Sequence, residues 1–379
     1  MPGLNYAGWQ REPIITSPTW PSASTSLITQ LLPLAALAPV QGVSKQFHTD
    51  GHGPVGFSQA DVVAIAPRFP LDLSLRYGGL ESIYAAALGL EARRLNAVVM
   101  PENLGGAYRH VYELDPVLSA MAPWQVTADG IQSGDISVGQ RKVRRGTIAA
   151  AREWTAWEWL SVMIDQASWS WSAEAVVGSL ALQCVAYSTN LSPTTNTLTT
   201  LRKARPNPYP DVLFRQARIR LGPYSTGTAL NSTHQLACAS ASVTLQNQLA
   251  ATFGPRTGQH PEEYERSGPP IVLGSLQQPR YTSNTLVSAW EANTRYMLEM
   301  VFTGPRIAGT AFNYQLTLYV PGLFFTQVEP SPLSVGRSSL PLNWFAAAPD
   351  VTPAGFPTTA RQGPLILEVI SGVAAHGLL

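Results

Sequence analysis

Few residues in this chain stand at spacings that chemistry would use. His48-Thr-Asp50-Gly-His52 is the one metal-like pattern: in an extended loop alternate residues point the same way, so two imidazoles and a carboxylate could converge on an ion. No fourth ligand or supporting partner stands nearby, and the run reads better as a polar, glycine-rich loop. Gln140-Arg141-Lys142-Val143-Arg144-Arg145 is the one basic cluster. It could touch phosphates, but without interleaved aromatics it reads as a solvated loop or a partner for an acidic patch on another subunit. Trp154, Trp157 and Trp159, then Trp169 and Trp171, make an aromatic-dense block. Tryptophans at i and i+2 share one face of a strand, so a sugar-stacking platform is conceivable, with core or interface packing as the default. Glu262, Glu263 and Glu265 form an acidic loop and not a paired-carboxylate site. There is no nucleophile elbow, no phosphate-cradling loop and no His-Glu-x-x-His motif. No catalytic, cofactor-binding or metal residue is assigned, no cofactor is expected, and the chain is read as a non-enzyme.

The composition explains why chemistry is scarce. Hydrophobic residues make up 45% of the 379 positions, yet charged residues only 13%, about half the usual share. With 10 Trp, 13 Tyr and 11 Phe, so little charge suits a subunit that buries much of its surface against partners. A neutral β protein rich in Ser, Thr, Asn and Gln would look similar. Net charge is +1, so no general basic field exists to hold nucleic acid. Lys45, Lys142 and Lys203 are the only lysines; the remaining 22 of 25 basic residues are Arg, which suits interfaces better. Cys184 and Cys238 are the only cysteines. They could pair, but both sit in strand-like runs and read more simply as small buried residues. Leu27 to Val40 is apolar but broken by Gln30, Pro33 and Pro39 and too short for a bilayer, and no signal peptide is expected.

The elements that would position these residues are mostly strands. Leu71-Asp-Leu-Ser-Leu-Arg-Tyr77 alternates strictly, as do Leu180 to Ala186, Ile219 to Leu221, Ala241 to Gln246, Tyr296 to Thr303, Tyr314 to Val320 and Leu365 to Val369. One-sided alternation describes antiparallel sheets with one packed face. The first unit passes through Gly78-Gly79 into Leu80–Leu88, whose Leu80, Ile83, Tyr84, Ala87 and Leu88 share a helical face, with Gly89 available to close it. A related unit follows in the second half: Ile271 to Leu276, then Arg280-Tyr281, then a helix capped within Thr282-Ser283-Asn284 that turns Leu286, Val287 and Trp290 inward. A strand feeding a short helix once per half suggests two similar β domains. Ala149 to Trp159 fits helix or strand. The expected division is an N-terminal arm over 1–45, β domains over 46–192 and 193–330, and a C-terminal arm over 331–379. The Ser/Thr/Asn-rich stretch Ser188–Thr200 and the prolines of Arg205–Pro210 form a stiff crossover between the halves.

Several runs resemble, in order, segments of the tail tube proteins of long-tailed (siphovirus-like) bacteriophages. Leu71–Gly89 is similar to the family's strand entering a short helix that closes on Ala-Leu-Gly, and Tyr108-Arg-His-Val-Tyr-Glu-Leu-Asp115 to its following strand. Ala241-Ser-Val-Thr-Leu-Gln-Asn247 is similar to a strand ending at Asn; Gly304-Pro-Arg-Ile307 with Tyr314–Pro321 is similar to the final hairpin. The matches are short and span about residues 45 to 330; the ends and the Trp block match nothing in the family. The resemblance implies β-sandwich domains with a flanking helix, ringed and stacked into a tube through which viral DNA leaves the virion without specific binding. It implies a virion subunit assembled in the host cytoplasm, with tape measure and tail terminator or tip proteins as partners and no membrane. The family builds six-fold rings from single-domain subunits, so two domains per chain would make a homotrimer with pseudo-six-fold symmetry. The competing readings are another virion protein, such as a decoration or baseplate subunit, and a carbohydrate-binding β-sandwich that would lose glycan binding on Trp169→Ala or Trp171→Ala.

Overall fold

The computed structural model describes residues 5–11, 27–37, 43–48, 59–65, 68–91, 94–95, 98–114, 146–152, 155–173, 176–183, 186–188, 195–253, 261, 263–334, 337–359 and 362–374. The protein is mainly β, as its alternations predict. In chain order the first half forms β1 (Asn5–Arg11), β2 (Leu34–Leu37), β3 (Val43–His48), β4 (Gln59–Ile65), β5 (Arg68–Ser74), helix α1 (Glu81–Leu88), β6 (Gly89–Glu91), β7 (Arg94–Leu95), β8 (Val98–Val99), β9 (Glu102–Asn103), β10 (Tyr108–Leu114), β11 (Gly146–Arg152), β12 (Thr155–Ser172), β13 (Val176–Gln183) and β14 (Ala186–Ser188). After helix α2 (Leu198–Lys203) come β15 (Ala217–Pro223), β16 (Ser240–Gln246), β17 (Leu249–Thr252), β18 (Glu263–Arg266), β19 (Ile271–Gln278), helix α3 (Thr285–Glu291), β20 (Tyr296–Arg306), β21 (Asn313–Val328), β22 (Ser331–Ser334), β23 (Arg337–Ala346) and β24 (Ile366–Ser371).

The pairings occur in the same order twice. In the first half β2 pairs β5, β5 pairs β13 and β13 pairs the C-terminal part of β12. In the second, β16 pairs β19, β19 pairs β23 and β23 pairs the C-terminal part of β21. The N-terminal part of each long strand belongs to the other layer, β1-β11-β12-β14 in one half and β15-β20-β21-β24 in the other. Both long strands change layer at an irregularity, between Ile164 and Gln166 in β12 and between Phe325 and Gln327 in β21; an extra residue there bends and twists the strand. A helix follows the second strand of each set, α1 after β5 and α3 after β19, and a hairpin stands between the first and second strands, β3–β4 or β17–β18.

The two sets are joined edge to edge. β12 pairs β16 from Gln166↔Gln246 to Ser172↔Ser240, so β2-β5-β13-β12-β16-β19-β23-β21 run as one antiparallel sheet. In the other layer β24 of the second set pairs β10, an insertion after α1. The 192/193 division falls between β14 and β15, and the eight-stranded sheet is continuous across it. One hydrophobic cluster fills the space between layers, from Leu71 and Leu73 through Val243 and Leu298 to Leu367. Trp171 of β12 stacks on Phe302 of β20 with centroids 5.2 Å apart, a contact of one half with the other.

The two expected arm segments contain paired strands. Within 1–45, β1 and β2 are paired strands, and Ala7 and Trp9 are buried. Within 331–379, β23 is a central strand and β24 completes the second set, with Leu340, Leu342, Trp344, Leu367 and Val369 buried. Proline and glycine crowd the connection 347–364 and leave the alternating strand runs intact. The crossover is equally well anchored: Tyr77 N–H donates to Pro210 O at 3.1 Å, Arg205 pairs with Gln30, and Arg76 Nε lies 3.0 Å from Asp211. Within Ala149–Trp159 the described residues, 149–152 and 155–159, are strand, in β11 and β12. β6 begins at Gly89, so this residue continues into a strand instead of capping α1. Asn284 precedes α3 without a side-chain capping bond.

Candidate assembly surface

The eight-stranded sheet has one packed face and one open face. On the open face β12, β16 and β19 present Gln166, Ser168, Ser170 and Ser172, then Ser240, Ser242, Thr244 and Gln246, then Ile271, Leu273, Ser275 and Gln277. These side chains bond to one another across the strands: Ser168 Oγ with Thr244 Oγ1 at 3.0 Å, Ser242 Oγ with Ser275 Oγ at 2.7 Å, and Asn343 Nδ2 donating to Gln327 Oε1 at 3.3 Å. The lattice of hydroxyls and amides is uncharged along all three strands. It can be wetted, and it offers a polyanion no cation to bind. The alternation foresaw the polarity of the face, but the absence of charge emerges only when the strands are set side by side.

The sheet ends in two open edges. Among the described residues β2 pairs only with β5, and β21 beyond its bend pairs only with β23. Their counterparts inside the chain, β16 and β12, pair with each other. Unpaired strand edges are templates for further strands.

The internal junction is locked by a buried amide. Asn247, fully buried, ends β16; its Nδ2 donates to Ala87 O of α1 at 3.0 Å and to Ile164 O of β12 at 2.9 Å. Its Oδ1 accepts from Arg266 Nη2 at 2.7 Å, and its backbone N–H donates to Asp165 O at 2.7 Å. The Asp165 carboxylate accepts from Leu249 N–H at 2.8 Å. Met163 then packs under Leu249 and Tyr264 of the β17–β18 hairpin. Nothing in local sequence marks this lock, apart from the position of Asn247 at a strand end.

Other buried polar groups tie the chain ends together. Glu81 accepts from Ser371 Oγ at 3.0 Å; burial raises its pKa against the opposing pull of His110 and its hydrogen bonds. Arg109 bridges Glu368 at 2.6 Å and Glu102 at 3.4 Å, and burial raises the Glu368 pKa despite that arginine. Glu113 accepts from Thr359 Oγ1 and Gly363 N–H. All of these bonds fasten β24 and its approach to the first half.

The residues singled out for chemistry are not brought together. His48 lies at the end of β3, while Asp50 and His52 lie outside the described residues, as do Gln140–Arg145, Trp154, Cys184 and Glu262. Trp159, Trp169 and Trp171 are buried, between 1% and 3% exposed, which removes three of the five proposed sugar-stacking faces. Glu263 and Glu265 are placed in β18. Cys238 is half-buried, its Sγ donating to Ser240 O at 2.7 Å, and burial raises the thiol pKa. No described helix is long and apolar enough to cross a membrane.

No family model matches the chain, and no curated protein matches it either. Among solved structures a crystal structure of Hcp protein aligns at 14% identity and a TM-score of 0.22, covering 38% of this chain and 96% of the Hcp chain.

Proposed function

We propose that the chain is a tail tube subunit of a long-tailed bacteriophage, a structural and non-catalytic component of the virion. The observation that carries this reading is the β12–β16 junction, which already joins two equivalent strand sets edge to edge and leaves the same two kinds of edge open at the ends of the sheet. Repeating the junction between copies brings the β21 edge of one chain to the β2 edge of the next. Such a contact is heterologous, so it either closes into a ring or runs on as a helix. Two sets per chain make three chains equivalent to six positions, and the proposed ring is a homotrimer with pseudo-six-fold symmetry.

In such a ring the open face lines the channel, with the uncharged strands β12, β16 and β19 at its centre. Viral DNA passes it without phosphate contacts that would hold it. Stacked rings form the conduit for genome ejection, assembled in the host cytoplasm; tape measure protein and tail terminator or tip proteins are the partners the resemblance implies. The test is native mass spectrometry with negative-stain imaging of the purified chain across a concentration series. Trimeric rings that stack into hollow filaments are expected. Six copies per ring would sink the trimer, and a monomer at every concentration would sink the tube.

A further inference from the structure

The two equivalent strand sets differ at one place on the open face. The pairings put Met163, Gln183 and Arg68 in one row of the first set, and Phe324, Phe345 and Leu273 in the same row of the second. In each set the row lies beside the bend of the long strand. In the first set this place is covered: Met163 is 1% exposed beneath Leu249 and Tyr264 of the hairpin that follows β16. In the second set it is open. Phe345 is 40% exposed, Leu273 37% and neighbouring Ile271 38%, with Phe324 stacked on Phe345 at 5.6 Å. An exposed apolar cluster beside the hydroxyls and amides of β12, β16 and β19 marks an interaction site.

The internal junction identifies the occupant. Met163 is covered by the hairpin inserted between the first two strands of the next set, and among the described residues the equivalent pair in the first set is β3–β4. Once β2 of another copy pairs with the open β21 edge, its β3–β4 hairpin stands to Phe324 and Phe345 as β17–β18 stands to Met163. We infer that Phe324, Phe345 and Leu273 form the docking site for the paired strands β3 and β4 of a second copy of this chain. The inference rests on the ring reading and adds to the strand pairing a clamp across it. Burying two aromatic side chains there gives the contact an apolar anchor of the kind that dominates interface energies.

Benzoylphenylalanine placed at position 345 tests the site directly. Illumination of the assembled protein is expected to give a covalent dimer whose cross-linked peptide maps within 43–65. Capture of any other segment by assembled rings overturns the inference and leaves the tube reading standing. A wild-type chain that never forms rings overturns both. As a second measurement, Phe345→Ser removes an exposed ring without touching the core. It should raise the concentration needed for ring formation at least tenfold, and assembly at the wild-type concentration counts against the site.

Discussion

Asn247→Ala is the sharpest test of how the two strand sets are held together. The substitution removes a side chain that satisfies the Ala87 and Ile164 carbonyls and accepts from Arg266, itself only 5% exposed. A buried polar group left without its partner costs about 1–3 kcal/mol, more when charged, and carbonyls with a second lone pair sit at the low end. Two carbonyls and a guanidinium sum to about 3–5 kcal/mol, a large part of the roughly 5–15 kcal/mol available to a folded domain. Asn247→Asp keeps the acceptor for Arg266 but loses both donors and sets a carboxylate against two carbonyls, so it should be no milder than about 2 kcal/mol. The assay is urea unfolding below the assembly concentration, followed by fluorescence of the buried Trp159, Trp169 and Trp171. A midpoint shift of about 1 M at constant slope is expected, since slopes for a chain of this size are about 3 kcal/mol/M or more. Asn247→Ala and Arg266→Met break the same hydrogen bond, so the double variant should lose at least about 0.5 kcal/mol less than the sum of the singles. A loss under about 1 kcal/mol, or strict additivity, would refute the lock.

Gly274→Ala should destabilise by about 2 kcal/mol or more, because a Cβ there would lie 2.0 Å from Trp344 Cζ2 and 2.6 Å from Ser242 O; unchanged unfolding and near-UV dichroism would contradict the tight approach. Glu81 has a folded pKa above its ordinary 4.5, so the folded state binds more protons and stability falls as pH rises from 4.5 through the raised value. Glu81→Gln should flatten that fall and raise the melting temperature at neutral pH, whereas an unaltered slope would place the titration elsewhere.

Much of the architecture was legible because one-sided alternation is a strong signal. β5, β16, β20, β21 and β24 lie where the apolar periods fall. The strands within the two arm segments were not legible, because β1 is built on Ala7, Gly8 and Trp9, too small and too short to show a period, and because β23 sits among proline-rich connections. Leu71–Leu88 and Ile271–Trp290 share the order strand, turn, helix, but their tyrosines are not equivalent. Pairing sets the correspondence at Leu71 and Leu276, which face Leu180 and Leu342. Tyrosine spacing drifts in the turn after the strand, where Tyr77 bonds Gln216 at 2.9 Å while Tyr281 N–H donates to Ser338 O. The Asn247 lock was beyond reach, since its partners are 160, 83 and 19 residues away. Sequence periodicity reports which side of a strand is buried, and is silent on which strand lies alongside.

The contrast between the covered and the open row has an energetic logic. The two sets of one chain are tethered, so their junction forms at an effective concentration set by the connecting segment, in the millimolar range or higher for short links. A modest contact such as Met163 under a hairpin is enough to close it. A junction between copies has no tether and must first offset about 4–15 kcal/mol of lost translational and rotational freedom. Strand pairing alone trades hydrogen bonds to water for hydrogen bonds to protein and returns little net free energy per bond. The surplus has to come from apolar burial, and the second set carries Phe324 and Phe345 where the first carries Met163 and Gln183. On the ring reading, the exposed aromatic pair is therefore what an untethered copy of the internal junction requires.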